Sequence, residues 1–237
     1  MKKAVFILGM HRSGTSCLAK CLAANGLSFV LDQLGPTFNR EHLEYGEVAR
    51  LNNKILRNWK NPKIPDSALK KFIGKKMVNR FIRKHHKGDG RVGIKDPRLA
   101  LTFHLWADAV QEFQVVAIYR RPFEVVRSFD KRAPGYSRIE RNNALELWRL
   151  TNHKILELQK ELRFPITSFN LPTDVFRESL EKMSDYLGLR FNPEGFENTF
   201  VESRKHHLDY DMPAALRSTY EELERCRLCS GGETTRR

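Results

Sequence analysis

The stretch Lys3-Ala4-Val5-Phe6-Ile7-Leu8-Gly9-Met10-His11-Arg12-Ser13-Gly14-Thr15-Ser16 decides the fold. Its apolar run, Ala4 to Leu8, is too short for a helix of its own and ends in glycine, which reads as a buried strand entering a tight turn. Thr15 to Asn25 then reads as a helix, with Leu18 and Leu22 on one face and Gly26 as its stop. In a strand-loop-helix unit of this kind, the amides of Arg12 to Ser16 converge on phosphate or sulfate oxygens. The positive end of the helix assists them, and Gly9 and Gly14 keep side chains out of the anion's way.

Against the phosphate-loop pattern G-x-x-x-x-G-K-[ST], Gly9, Gly14 and Ser16 are in register, but Thr15 stands at the lysine position. ATP and GTP phosphotransferases use that lysine as the cation on the β and γ phosphates, so its loss argues against a P-loop small-molecule kinase, which would also need Mg²⁺. The nearest cation here is Arg12, inside the loop. Arg12-Ser13-Gly14-Thr15-Ser16 resembles the [RK]-S-G-T-[ST] loop of the sulfotransferases that use 3′-phosphoadenosine 5′-phosphosulfate. Taken alone, the loop has one plainer alternative, an ordinary glycine-containing strand-to-helix turn.

Three further positions enter the comparison. Arg40 to Trp59 reads as a helix with Val48, Leu51, Ile55 and Trp59 inward, and one turn before Val48 stands Glu44. There, desolvation would make a carboxylate a better proton acceptor from an alcohol. Bacterial-type sulfotransferases are similar in carrying a glutamate eight positions before the Asn of a Leu-Asn pair, here Glu44 ahead of Leu51-Asn52, although His42 replaces their usual glycine. Glu41 and Glu47 compete for the role, and a solvated glutamate at a helix start is the plainer explanation. Lys95 ends a third strand, Arg91 to Ile94, and opens Lys95-Asp96-Pro97-Arg98. Asp96 and Pro97 suit a helix start, whereas Lys95 has no structural duty and sits where open α/β sheets bind ligands. Lys-Asp-Pro is similar to a sulfotransferase motif whose lysine stabilises charge on the transferred group. Gln114 to Tyr119 is a Val-rich strand followed by Arg120-Arg121-Pro122 and a helix carrying Ser128. The Arg120-to-Ser128 spacing resembles the family's 3′-phosphate site, and Arg121 replaces its usual Asp or Asn.

The remaining chain supplies scaffold: a long helix from Arg138 to Arg163, a fifth strand from Pro165 to Asn170, a helix from Thr173 to Leu187, and a last helix from Pro213 to about Glu224. Leu27 to Leu31 reads as a second strand. The expectation is a three-layer α/β/α fold, P-loop NTPase-like, with a mostly parallel central sheet of about five strands. It forms one domain over residues 1–225, with a mobile tail at 226–237. Lys and Arg total 42 against 28 Asp and Glu, a net charge of +14 that favours anionic ligands without choosing among nucleotide, glycan, nucleic acid or membrane. Lys70 to Arg91 is the most basic stretch, either a grip on an anionic acceptor or a solvated helix face.

No apolar run is long enough to span a bilayer, no signal-peptide cleavage site follows the first strand, and four cysteines suit a reducing compartment, so a cytoplasmic location is expected. Cys17 and Cys21 read as core, and Cys226 and Cys229 as a pair without further metal ligands. The resemblance implies a metal-independent sulfotransferase acting on a hydroxyl or amine of an unidentified acceptor, with adenosine 3′,5′-bisphosphate as product. It assigns Glu44 as base and Arg12 and Lys95 as transition-state cations. Arg12, Ser13, Gly14, Thr15, Ser16, Arg120 and Ser128 hold the nucleotide, and nucleic acid is not expected as a partner. The alternatives are the kinase and a non-catalytic anion- or nucleic-acid-binding module.

Overall fold

The computed structural model describes residues 3–29, 38–39, 43–58, 60–62, 68–85, 91–131, 140–199 and 211–228. Residues 32–37, Glu41, His42, Trp59, Lys87 and Cys229 lie outside them.

Continuous apolar strands bury both faces, and β1 (Lys3–Leu8) does so by simple alternation. Ala4, Phe6 and Leu8 enter one core and Val5 and Ile7 the other. β5 (Glu112–Tyr119) repeats the arrangement, with Val115, Ala117 and Tyr119 on the first side and Val116 and Ile118 on the second. With β4 (Arg91–Lys95) and β6 (Ile166–Ser168) these strands form a parallel sheet in the order β4-β1-β5-β6. The Val5/Ile7 side is covered by α1 (Thr15–Ala24), α7 (Thr173–Tyr186) and α8 (Pro193–Thr199). The other side is covered by α2 (Gly46–Leu56), α3 (Ala68–His85), α4 (Leu99–Ala107), α5 (Pro122–Asp130), α6 (Arg141–Leu162) and α9 (Ala214–Cys226). This is the three-layer α/β/α architecture.

The strand order positions the site. From β1 the chain passes to β4 on one side, then returns across β1 to β5 and continues to β6. Connections therefore diverge between β1 and β5, and ligands in open α/β sheets bind in the crevice beyond the carboxyl ends at such a point. Gly9 leaves β1 there so close to its neighbour that a Cβ would stand 2.5 Å from the Ile118 carbonyl oxygen.

Several expectations are corrected. Leu27 to Leu31 is not a strand over its described part: Ser28 makes one isolated bridge to Val92, while Leu27 and Phe29 turn into the second core. The described sheet accordingly has four strands, not about five. The helix expected from Arg40 begins only at Gly46, because Glu44 and Tyr45 (β3) pair antiparallel with Phe38 and Asn39 (β2). The Tyr45 hydroxyl donates to the Phe29 carbonyl and pins that short hairpin to the body. Glu44 thus sits on an extended segment instead of at the head of a helical stripe. The helix α8 was not anticipated. Cys226 belongs to α9, and the Leu228 amide donates to the Ile166 carbonyl at 3.0 Å, so residues 226–228 pack against the sheet where a tail was expected. No helix among the described residues is long and apolar enough to cross a membrane.

Candidate active site

Two left-handed residues, Arg12 (φ 65) and Gly14 (φ 92), flank Ser13 in the loop between β1 and α1. Such alternation turns successive amides toward one side and makes a concave anion site. Gly14 cannot carry a side chain, since its Cβ would lie 2.5 Å from the Phe169 ring. α1 starts with neither a side-chain cap nor an acidic residue in its first turn, leaving its first amides and its positive end for an external anion. Ser13 is fully buried and its Oγ has no hydrogen-bond partner among the described residues, an orphaned donor that an oxyanion would satisfy. One detail differs from expectation: the Ser13 amide closes a turn on the Met10 carbonyl at 3.2 Å and does not point at the anion.

Lys95 ends β4 in register with Ile7 of β1, so its side chain emerges beside the loop. It is wholly buried, donating to Ser16 Oγ at 3.1 Å and to Glu44 Oε1 at 2.6 Å. Burial pushes the ammonium below the ordinary lysine range, and the adjacent Glu44 and Asp96 carboxylates oppose that shift. Glu44 keeps 27% of its side chain exposed. The carboxylate can therefore be approached from outside, while the cation is closed off from solvent. Glu47, the other described candidate, faces Lys84 on α3 at 3.9 Å and takes no part in this contact.

Asn52, used in the sequence only to mark spacing, is the buried hub behind Lys95. Its Nδ2 donates to Asp96 Oδ1 at 3.1 Å, and its Oδ1 accepts from Thr102 Oγ1 and Trp106 Nε1, each at 2.9 Å. Asp96 also accepts from the Arg98 amide and guanidinium at 2.9 and 2.7 Å. Asn52 thereby ties the helix that follows Glu44 to the turn that follows Lys95. Replacing Asn52 with leucine is expected to cost about 3 kcal/mol of stability or more in urea unfolding, because three buried polar partners lose a bond at once. A cost under about 1 kcal/mol would show that water replaces the amide.

Arg120 is also buried, just past the end of β5, and its side chain is held by neighbours. Its Nε donates to Glu124 Oε2 at 3.0 Å, Nη1 reaches the Arg12 carbonyl at 3.4 Å, and the guanidinium lies 5.0 Å over the Phe169 ring. Burial pushes the guanidinium below its usual range, against the opposing pull of Glu124. Arg12 Nε donates to Ser128 Oγ at 2.9 Å, so residues 116 positions apart share one hydrogen bond. Glu124 and Asn52 were missed. Glu124 was legible only as an i, i+4 partner of Arg120. The missing Asp or Asn at position 121 is made good from another element, since Asn170 Oδ1 accepts from the Arg121 amide at 2.8 Å. Direct contacts thus make two groups at one sheet edge, Ser16 and Glu44 around Lys95 and Ser128 and Arg120 around Arg12, and the loop from Arg12 to Ser16 joins them.

No protein-family profile matches the chain, and no curated protein matches it. Among solved structures, the sulfotransferase domain from the olefin synthase of Synechococcus PCC 7002 aligns over 94% of this chain and 94% of its own length, with a TM-score of 0.58 and 19% sequence identity. The chain shares the fold of that domain, a parallel sheet with helices on both faces and a glycine-bearing loop after its first strand.

Proposed function

We propose that this chain is a sulfotransferase that moves a sulfuryl group from 3′-phosphoadenosine 5′-phosphosulfate to a hydroxyl or amine. The observation that carries the reading is Lys95 Nζ, buried between Ser16 Oγ at the loop and Glu44 Oε1 at the open side. Glu44 takes the proton from the acceptor as the acceptor atom attacks sulfur. The bond between sulfur and the bridging oxygen breaks, and its electron pair leaves on adenosine 3′,5′-bisphosphate. Lys95 and Ser16 meet the charge that grows on the bridging and equatorial oxygens, so positioning and fixed charge supply the acceleration. In this reading Ser128 and Arg120, joined through Arg12, hold the 3′-phosphate, which selects against ATP.

The nucleotide is tested by thermal shift. Adenosine 3′,5′-bisphosphate at about a hundred times its Kd should stabilise the chain by about 2.7 kcal/mol without Mg²⁺, and ADP by clearly less. Stabilisation by ADP only with Mg²⁺ would favour a kinase. No response to either nucleotide would favour an anion-binding module.

A further inference from the structure

α3 presents two distinct faces. Gly74, Val78, Phe81 and Ile82 are buried, the last three in the core beside α4. Phe72, Ile73, Lys76, Arg80, Arg83 and Lys84 are exposed, and at 100° per residue they fall within about 120° of arc. Phe72 (54% exposed) and Ile73 (49% exposed) are the large hydrophobic side chains left open among the described residues. Both belong to the first turns of this one helix, and α3 contains no acidic residue. Lys76 Nζ sits 4.6 Å over the Phe72 ring, so ring and cation are presented together.

We infer that this face docks the chain on an anionic bilayer surface, with Lys76, Arg80, Arg83 and Lys84 on lipid phosphates and Phe72 and Ile73 in the boundary between headgroups and acyl chains. Charge complementarity selects an anionic partner, and the exposed pair selects a bilayer. A soluble polyanion would use the cations but gain nothing from an aliphatic side chain beside them, whereas an interfacial helix combines both. Orientation follows from two ion pairs. Lys75 meets Asp108 at the end of α4 distant from the site, and Lys84 meets Glu47, three residues beyond Glu44. The helix therefore runs toward the exposed carboxylate, and docking through it holds that opening beside the membrane surface. The inference does not depend on the transfer reaction, so its failure would leave the proposed chemistry standing.

The test is flotation of the full chain with vesicles of phosphatidylcholine alone and of an equal mixture of phosphatidylcholine and phosphatidylglycerol. Binding is expected to the mixed vesicles only, and to weaken as salt is added. Phe72→Ser combined with Ile73→Ser leaves the net charge unchanged and should weaken that binding about tenfold or more, with thermal unfolding unaltered because both side chains are exposed. Lys76→Gln combined with Arg80→Gln and Arg83→Gln should abolish it. Absence of binding to the mixed vesicles would overturn the inference. Binding by the serine variant equal to the parent's would overturn it too, by exposing general adsorption of a chain of net charge +14. Retention of both proteins on heparin without vesicle binding would instead assign the face to a soluble polyanion.

Discussion

Glu44→Gln is expected to lower turnover by about 10²–10⁴-fold while leaving the stabilisation by adenosine 3′,5′-bisphosphate unchanged. The amide preserves the shape of the side chain and an oxygen for Lys95, whose ammonium stands 2.6 Å from the carboxylate. It cannot accept the acceptor's proton. Since Glu44 is one-quarter exposed and the nucleotide loop contacts Lys95 through Ser16, the substitution alters the acceptor side and spares the loop. Turnover is followed as release of adenosine 3′,5′-bisphosphate in the presence of a panel of hydroxyl and amine acceptors. Glu47→Gln is the control: Glu47 faces Lys84 on the outer helix, and its change should leave turnover within a few-fold of the parent. Near-parental turnover in Glu44→Gln would remove this residue as the base, and a large loss in Glu47→Gln would point to the wrong carboxylate.

Lys95→Met should separate stability from catalysis. A wholly buried ammonium carries a desolvation cost that its partners only partly offset, and replacing a buried charge with an apolar side chain of similar length is often neutral or stabilising. Here the partner Glu44 stays in reach of water, so little is lost by leaving it alone. The expected result is a melting temperature equal to or above the parent's, with turnover reduced about 10²–10³-fold through loss of one preorganised charge at the bridging oxygen.

The pH dependence distinguishes this from a packing defect. Because the folded-state pKa of Lys95 is lowered, the native chain releases that proton at a lower pH than the unfolded chain does. The parent therefore gains stability relative to Lys95→Met as pH rises from the depressed value toward the ordinary lysine range. Turnover, which needs the ammonium, falls across the same window. A melting temperature that drops sharply in Lys95→Met would mean the side chain is structural, and a parent whose turnover holds through that window would mean the charge is not required.

Legibility followed the reach of the interactions involved. The loop from Gly9 to Ser16 and the strand ends at Lys95 and Arg120 could be read because each depends on neighbours a few residues away: an apolar run, a glycine, a helix start. Spacing singles out Glu44 as a candidate but puts it on a helix, whereas it lies on a short strand. A hairpin of two residues on each side has no periodicity, and it is held by pairing with Asn39 and by the Tyr45 hydroxyl on Phe29. Asn52 and Glu124 were overlooked because polar residues on helices are normally solvated, and only packing shows these two to be buried.

By itself the sequence determined the layer architecture, the glycine-bearing loop between first strand and first helix, and the cations at the strand ends, since alternation, chain punctuation and charge are local properties. The tertiary structure alone decided that these cations gather at one edge of the sheet. The strand order brings the ends of β1, β4 and β5 to one edge, and distances there hang on long-range parallel pairing that no local pattern encodes. It also decided that the Lys95 ammonium is sealed inside while the Glu44 carboxylate stays open, because burial is a property of what packs around a side chain and not of the residue itself.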